Sequence, residues 1–298
     1  MKTILSLVCA VFIALSANAR KVEWMFDATD FTAINAATLY VKYTQGNRYS
    51  VKVRVEEKYA DRVELSVSGK TLQLKFRDHG EGGFSWEDSL NVCVEVTSPV
   101  LTEVKCTGLA VFRSNDINVS EDFSVDMSGA TKILLGNVSC RTCHFSVSGV
   151  SVMDVGNVKT KGAVVLSSTG ASAMNIKHLE SVDNVSFDCS GASKSEVSFK
   201  VRDIDSKISG AAKVKMKADA RDMDMNVSGA AKLELGFTGE KMVVGSSGAS
   251  VLNLDVDCKM IRATNSGANV FSIAGTTDDI KVECSGVARI NTTKLNRF

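Results

Sequence analysis

The sequence predicts an all-β protein: a single-stranded, right-handed parallel β-helix with an N-terminal β region capping the solenoid. Three observations predict it. A Ser/Thr-Gly-small motif returns every 19 to 21 residues. Apolar residues fall at fixed even offsets on either side of each glycine. The 298 residues include a single proline and only 6% aromatics, a composition suited to narrow coils with tight corners. A period near 20 residues fits one coil of a β-helix. A propeller blade takes about 40 residues, and helical repeats need a 3.6-residue apolar stripe, which is absent.

The motif runs through Thr107-Gly108, Ser128-Gly129-Ala130, Ser148-Gly149-Val150, Thr169-Gly170-Ala171 and Ser190-Gly191-Ala192. It continues through Ser209-Gly210-Ala211, Ser228-Gly229-Ala230, Ser247-Gly248-Ala249, Ser266-Gly267-Ala268 and Ser285-Gly286-Val287. The glycine spacings are 21, 20, 21, 21, 19, 19, 19, 19 and 19. Four and six residues after the glycine come pairs such as Ile133/Leu135, Met174/Ile176 and Leu252/Leu254. Six and four before it come Cys143/Phe145, Val185/Phe187 and Met242/Val244. A step of two is a strand with one buried face. About ten coils stacked at roughly 4.8 Å give a rod on the order of 50 Å long, and only stacking closes its core.

Gly129, Gly149, Gly170, Gly191, Gly210, Gly229, Gly248, Gly267 and Gly286 are expected to turn one strand into the next at positive φ. The residues after them are small because the corners stack in one column. The hydroxyls before them are expected to bond along that column or to the turn backbone, a structural role and not a row of nucleophiles.

Residues 1–19 read as a signal peptide: Lys2, an apolar run from Ile4 to Leu15, and an Ala17-Asn18-Ala19 cleavage site. Export to the periplasm, the cell surface or the medium is therefore expected. No later stretch is apolar for long enough to cross a bilayer. Cys9 would leave with the signal. The other seven cysteines, an odd and irregularly spaced set, make a poor disulfide framework.

Residues 20–105 alternate as strands do in Leu39–Tyr43, Tyr49–Val55, Val63–Val67, Leu72–Phe76 and Val92–Thr97. This region is expected to cap the solenoid formed by 106–298 and to shield its first edge. Asp78–Asp88, polar and Gly-rich with Trp86, reads as an exposed loop.

An early strand near Phe31, the Tyr49-Ser-Val-Lys-Val and Leu72-Gln-Leu segments, Ser98-Pro99-Val-Leu-Thr-Glu-Val and the corners at Gly108 and Gly129 together resemble the head GIN domain family of putative auto-transporter adhesins, secreted proteins of Bacteroidetes-type bacteria. The resemblance spans roughly residues 25–298. It implies a β-helical fold outside the cytoplasm and an adhesive role, and it brings no catalytic residues. An autotransporter also needs a membrane barrel. The chain reaches Phe298 inside its last coil, so no barrel is expected within it.

Four constellations bear on chemistry. Cys140-Arg-Thr-Cys143-His144 matches the c-type haem attachment pattern. However, Cys143 and Phe145 hold inward offsets and His144 points outward, so core packing with a turn is expected and no cofactor; a disulfide between Cys140 and Cys143 stays open. Asp203, Asp205, Asp222 and Asp224 repeat at 19 residues and are weak candidates for a hard cation. A solvated charged face is the expected reading, with Arg202 and Arg221 in the alternate register. Lys194, Lys213 and Lys232 form a column that, with Trp86, is a candidate interaction surface. Asn-Val-Ser triplets at Asn118, Asn137, Asn184 and Asn226 match a glycosylation acceptor but reflect strand composition.

G-x-S-x-G, H-E-x-x-H and P-loop motifs are absent. A polysaccharide-lyase reading would need long loops around a cleft, and coils this uniform leave none. With a net charge of +1, nucleic acid is not an expected partner. The expected function is an extracytoplasmic, adhesin-like interaction protein without catalysis, its partner a host or envelope glycan or protein that the sequence does not name. The alternatives are a carbohydrate-binding or carbohydrate-cleaving β-helix and a periplasmic scaffold.

Overall fold

The computed structural model describes residues 20–77 and 92–297. The expected signal peptide and the 78–88 segment with Trp86 lie outside the described residues. The described chain is a parallel β-solenoid of about ten coils.

Nine strands build its first end: β1 (Lys21–Phe26), β2 (Ala33–Ala37), β3 (Tyr40–Gln45), β4 (Ser50–Glu56), β5 (Val63–Ser68), β6 (Thr71–Phe76), β7 (Val92–Ser98), β8 (Glu103–Thr107) and β9 (Val111–Ser114). Here the chain is not stacked in sequence order. β2 runs parallel to β6 on one side and to β8 on the other. β3 likewise lies between β7 and β9. So 33–45 is already a coil, and the chain leaves it, makes the strands beneath it, and returns to stack above it. Thr102 N donates to Thr32 O at 2.7 Å, joining positions seventy residues apart. Below this, β4 pairs antiparallel with β7, β1 with β4, and β5 with β6. The antiparallel strands take up hydrogen-bonding groups that a bare parallel edge would leave unpaired. Glu23 on β1 accepts from Lys52 Nζ at 2.7 Å and from Arg54, and these bonds hold its carboxyl below the usual range.

From β8 onward each coil lies directly on the one before. Ser124 stands over Glu103, Cys143 over Phe123 and Val164 over Cys143. In the later coils the short strands merge into runs such as Lys194–Ile208 and Lys213–Val227. Alternation buries one continuous core. Phe145 meets Phe123 edge-on at 6.1 Å and Phe187 meets Phe199 at 6.1 Å, all fully buried.

At the corners, the nine glycines from Gly129 to Gly286 all have φ between +73° and +113°. The parallel ladder continues through them: Ala192 N donates to Gly170 O, and Ala211 N to Gly191 O, each at 2.8 Å. A Cβ at Gly191 would lie 2.6 Å from Gly170 O. Just inside the corner, buried hydroxyls bond to one another, as Thr131 Oγ1 does to Ser151 Oγ at 2.9 Å.

Differences in coil length arise at two places. In the 20- and 21-residue coils, two residues intervene between inward positions at one bend: Asn115-Asp116, Gly136-Asn137, Gly156-Asn157 and Lys177-His178. The next coil skips one, and the register shifts as Ile176 and Leu179 meet Val197 and Phe199. At the other corner, three residues separate Thr160 from Val164 and Ser181 from Val185, but only two separate Val201 from Ile204. Losing one residue at each place turns a 21-residue coil into a 19-residue one. The 20-residue coil is short only at Cys140–Cys143.

All seven described cysteines are free thiols. Burial pushes the Cys106 thiol strongly upward, and burial together with a hydrogen bond to Cys140 raises Cys143; that same bond lowers Cys140. Only Cys284 is exposed, with Cys93 half-buried and the other five buried. A maleimide probe is therefore expected to label Cys284 first in the folded chain and to reach the five buried thiols only in denaturant, as peptide mapping would show. Rapid native labelling of Cys106 would contradict the stacked core.

Candidate binding groove

The shortening of the coils shapes the surface. Where the bulged bends of the early coils meet the flatter later coils, a groove of about 670 Å³ opens. Leu134, Asp154, Asn175, Glu196 and Lys215 line it from successive coils, with Lys177 and Lys217 at the bend itself. It adjoins a second hollow of about 740 Å³ lined by Thr44, Gln45, Arg113 and Asp116, and both share Leu134 and Leu135. The two form one trough crossing the coils from the first to the middle of the stack.

Side-chain ladders hold its walls. Asp116 Oδ1 accepts from Asn137 N at 2.9 Å and Nδ2 at 3.1 Å, and Asn137 Oδ1 accepts from Asn157 Nδ2 at 3.0 Å. Asn175 Nδ2 donates to Asp154 Oδ1 at 2.7 Å. Gln45 clamps the first coil to the next, donating from Nε2 to Asn118 O and accepting at Oε1 from Asn118 N, both at 2.7 Å. These polar groups are set by the backbone repeat, so the trough is preformed.

Charge gathers beside it. Lys194, Lys213 and Lys232 are in register on three successive coils. Glu196, Lys215 and Glu234 form the next outward column; Ser198 and Lys217 pair beyond it, and Lys177 lies at the bulged bend of the coil before, where the register shifts. Lys215 reaches Glu196 at 3.5 Å and Lys232 reaches Glu234 at 2.9 Å. Lys177, Lys194, Lys213 and Lys217 have no ion-pair partner among the described residues. Over these columns and the bend six lysines face two glutamates, a local positive excess in a chain whose net charge is +1.

The aspartates sit elsewhere, around a smaller hollow of about 250 Å³. Asp203 stacks on Asp222 and Asp205 on Asp224. Guanidinium groups cross-link them: Arg221 reaches back to Asp203 at 2.9 Å and lies 3.2 Å from Asp222, while Arg202 binds Asp183 at 2.8 Å. The expected alternate register of Arg202 and Arg221 does not hold here. In a two-residue corner both members face outward, which lets each arginine bridge coils. No group of three or more His, Cys, Asp or Glu able to hold a metal ion occurs among the described residues. His144 is exposed between buried Cys143 and Phe145.

Sequence reasoning found the Lys194 column but missed the trough beside it, with Lys177 and Lys217. The signal was the change in glycine spacing from 21 to 19, which marks where the surface must step. Among the described residues no helix is long and apolar enough to cross a membrane.

The family described as "Putative auto-transporter adhesin, head GIN domain" matches residues 30–220. No curated protein matches the chain. Similar solved structures include a "putative adhesin" from Parabacteroides merdae ATCC 43184, 15% identical with a TM-score of 0.48, covering 91% of this chain and 95% of that one. A "putative adhesin" from Bacteroides fragilis NCTC 9343 is 14% identical with a TM-score of 0.40, covering 91% and 96%. A "putative lipid binding protein" from Parabacteroides distasonis ATCC 8503 is 13% identical with a TM-score of 0.42, covering 91% and 96%.

Proposed function

The chain belongs to the head GIN domain family of putative auto-transporter adhesins, and from that premise we propose that it acts outside the cytoplasm as a non-catalytic adhesive protein. The working surface is the trough and the lysine-bearing face beside it, with residues 20–105 acting as the cap of the solenoid. The observation that carries this reading is the trough's form: shallow, open, preformed and repeated from coil to coil. A site of that kind suits an extended partner gripped at many weak points, because each repeated contact adds to one avidity.

Support against catalysis comes from how the polar groups are used. The buried hydroxyls of the corner column bond to neighbouring turns. Asp203 and Asp222 are bridged by Arg221. The trough's carboxylates, Asp116, Asp154 and Glu196, are paired with Asn137, Asn175 and Lys215. None of these is a nucleophile set beside a base.

The test is made on intact producing cells. An externally added protease is expected to degrade the chain, and cells lacking it are expected to lose attachment to a glycan- or matrix-coated surface. A chain wholly protected inside intact cells, with attachment unchanged by its loss, would overturn the reading in favour of a periplasmic scaffold.

A further inference from the structure

We infer that the trough binds a linear, carboxylate- or sulfate-bearing glycan, laid across the coils with its anionic groups on Lys177, Lys217 and the Lys194–Lys213–Lys232 column. This rests on the adhesive reading and names its ligand class.

Charge chooses the sign of the ligand. The trough and the columns beside it carry six lysines and Arg113 against Asp116, Asp154, Glu196 and Glu234, and Lys177, Lys194, Lys213 and Lys217 have no ion-pair partner among the described residues. Lysines stacked in register on adjacent parallel strands have backbones about 5 Å apart, so their like charges repel one another. A polyanion lying along the column relieves that repulsion and releases its own condensed counterions. Binding should therefore weaken steeply with salt.

The neutral groups choose the polymer. Between and beside the lysines the trough presents an amide and hydroxyls that a ligand can reach: Asn175, Ser198 and Thr44. Sugars offer hydroxyls at every unit, so they satisfy such groups together with the ammonium groups. Nucleic acid is a poorer match, since no aromatic side chain lines the trough as a stacking platform. A peptide is also poorer, because the trough is shallow and open and offers an anchoring side chain no deep seat.

The ligand length follows from the repeat. Lys177, Ser198 and Lys217 lie on consecutive coils, so the binding stretch crosses the strands. A ligand of a few sugars touches one or two coils. A polymer touches all of them, and affinity should climb with chain length.

The experiment uses the full purified chain with three soluble probes: polygalacturonate, neutral dextran and polyglutamate. Binding to polygalacturonate is expected, weakening as salt rises, with little binding to dextran. Lys177→Glu with Lys217→Glu should weaken polygalacturonate binding by roughly tenfold or more, with Lys177→Gln and Lys217→Gln in between. Lys207→Glu, outside the trough, should leave it unchanged. Unaltered circular dichroism and melting temperature would establish that each variant is folded. Equal binding to dextran, equal binding to polyglutamate, or no effect of the trough variants would each overturn the inference. The same variants on cells separate the two claims. Attachment that persists with the trough reversed keeps the adhesive reading and ends this one. Polygalacturonate binding by a chain that mediates no attachment does the opposite.

Discussion

A Gly191→Val chain is expected to lose at least about 3 kcal/mol of stability, and in a marginal background not to fold at all. Two costs add. Gly191 sits at φ +75°, a region that a β-branched residue enters only with strain. The new Cβ would also lie 2.6 Å from Gly170 O and 3.0 Å from Gly170 N, backbone atoms that take part in the corner ladder and cannot swing aside. Relief would have to come from parting two coils, which breaks the Ala192–Gly170 hydrogen bond. Gly69 supplies the control. It lies at φ +59° with nothing within 4 Å of a built Cβ, so Gly69→Val bears conformational strain without collision. Denaturant midpoints followed by circular dichroism should separate the two variants clearly. Equal midpoints would mean that the corner contact between coils does not hold the stack.

Phe187→Ala should cost about 3–5 kcal/mol. Phe187 is fully buried, edge-on to Phe199 at 6.1 Å, and stacks in register on Leu166. Truncation leaves a hole beside Phe199 in the narrow core, where the coils above and below can close in only by bending the ladder. In a solenoid the damage should spread to nearest neighbours first. Hydrogen exchange is the measurement of choice: faster exchange is expected in the coils holding Leu166 and Ile204, and less change near Phe271. Val287→Ala, at a position 85% exposed, should stay within about 0.5 kcal/mol of the parent. A Phe187→Ala chain no weaker than Val287→Ala would refute the continuous core.

Much of this architecture is legible in the residues because each coil is a local event. A glycine, a small neighbour and apolar positions two apart are read from a short window, and the stack follows from their period. What escaped was whatever depended on a comparison between coils or on distant pairing. Strict alternation placed Arg202 and Arg221 on the wrong side of Asp203 and Asp222, because alternation fails inside a two-residue corner. Nothing in its own coil marks Lys177; only beside Ser198 and Lys217 does it stand at a bend. Nothing in the Ala33–Gln45 segment announces that its partners include Thr71–Phe76, Val92–Ser98 and the residues after Glu103, since pairing across so much chain leaves no periodic trace.

The threading of that first coil has a temporal consequence. Residues 33–45 cannot complete their hydrogen bonding until the chain has been made as far as Ser114, where β9 closes over β3. A chain emerging from its N-terminus must hold these strands unpaired on one side while the next sixty or so residues appear. The coils beyond Gly129 need only their immediate predecessor and can add one at a time. Assembly thus has a slow, long-range opening step, governed by loop closure, followed by fast zipping toward the C-terminus. During that opening interval the unpaired edges of Ala33–Ala37 and Tyr40–Gln45 are the part of the molecule most open to a chaperone or to mispairing with another copy.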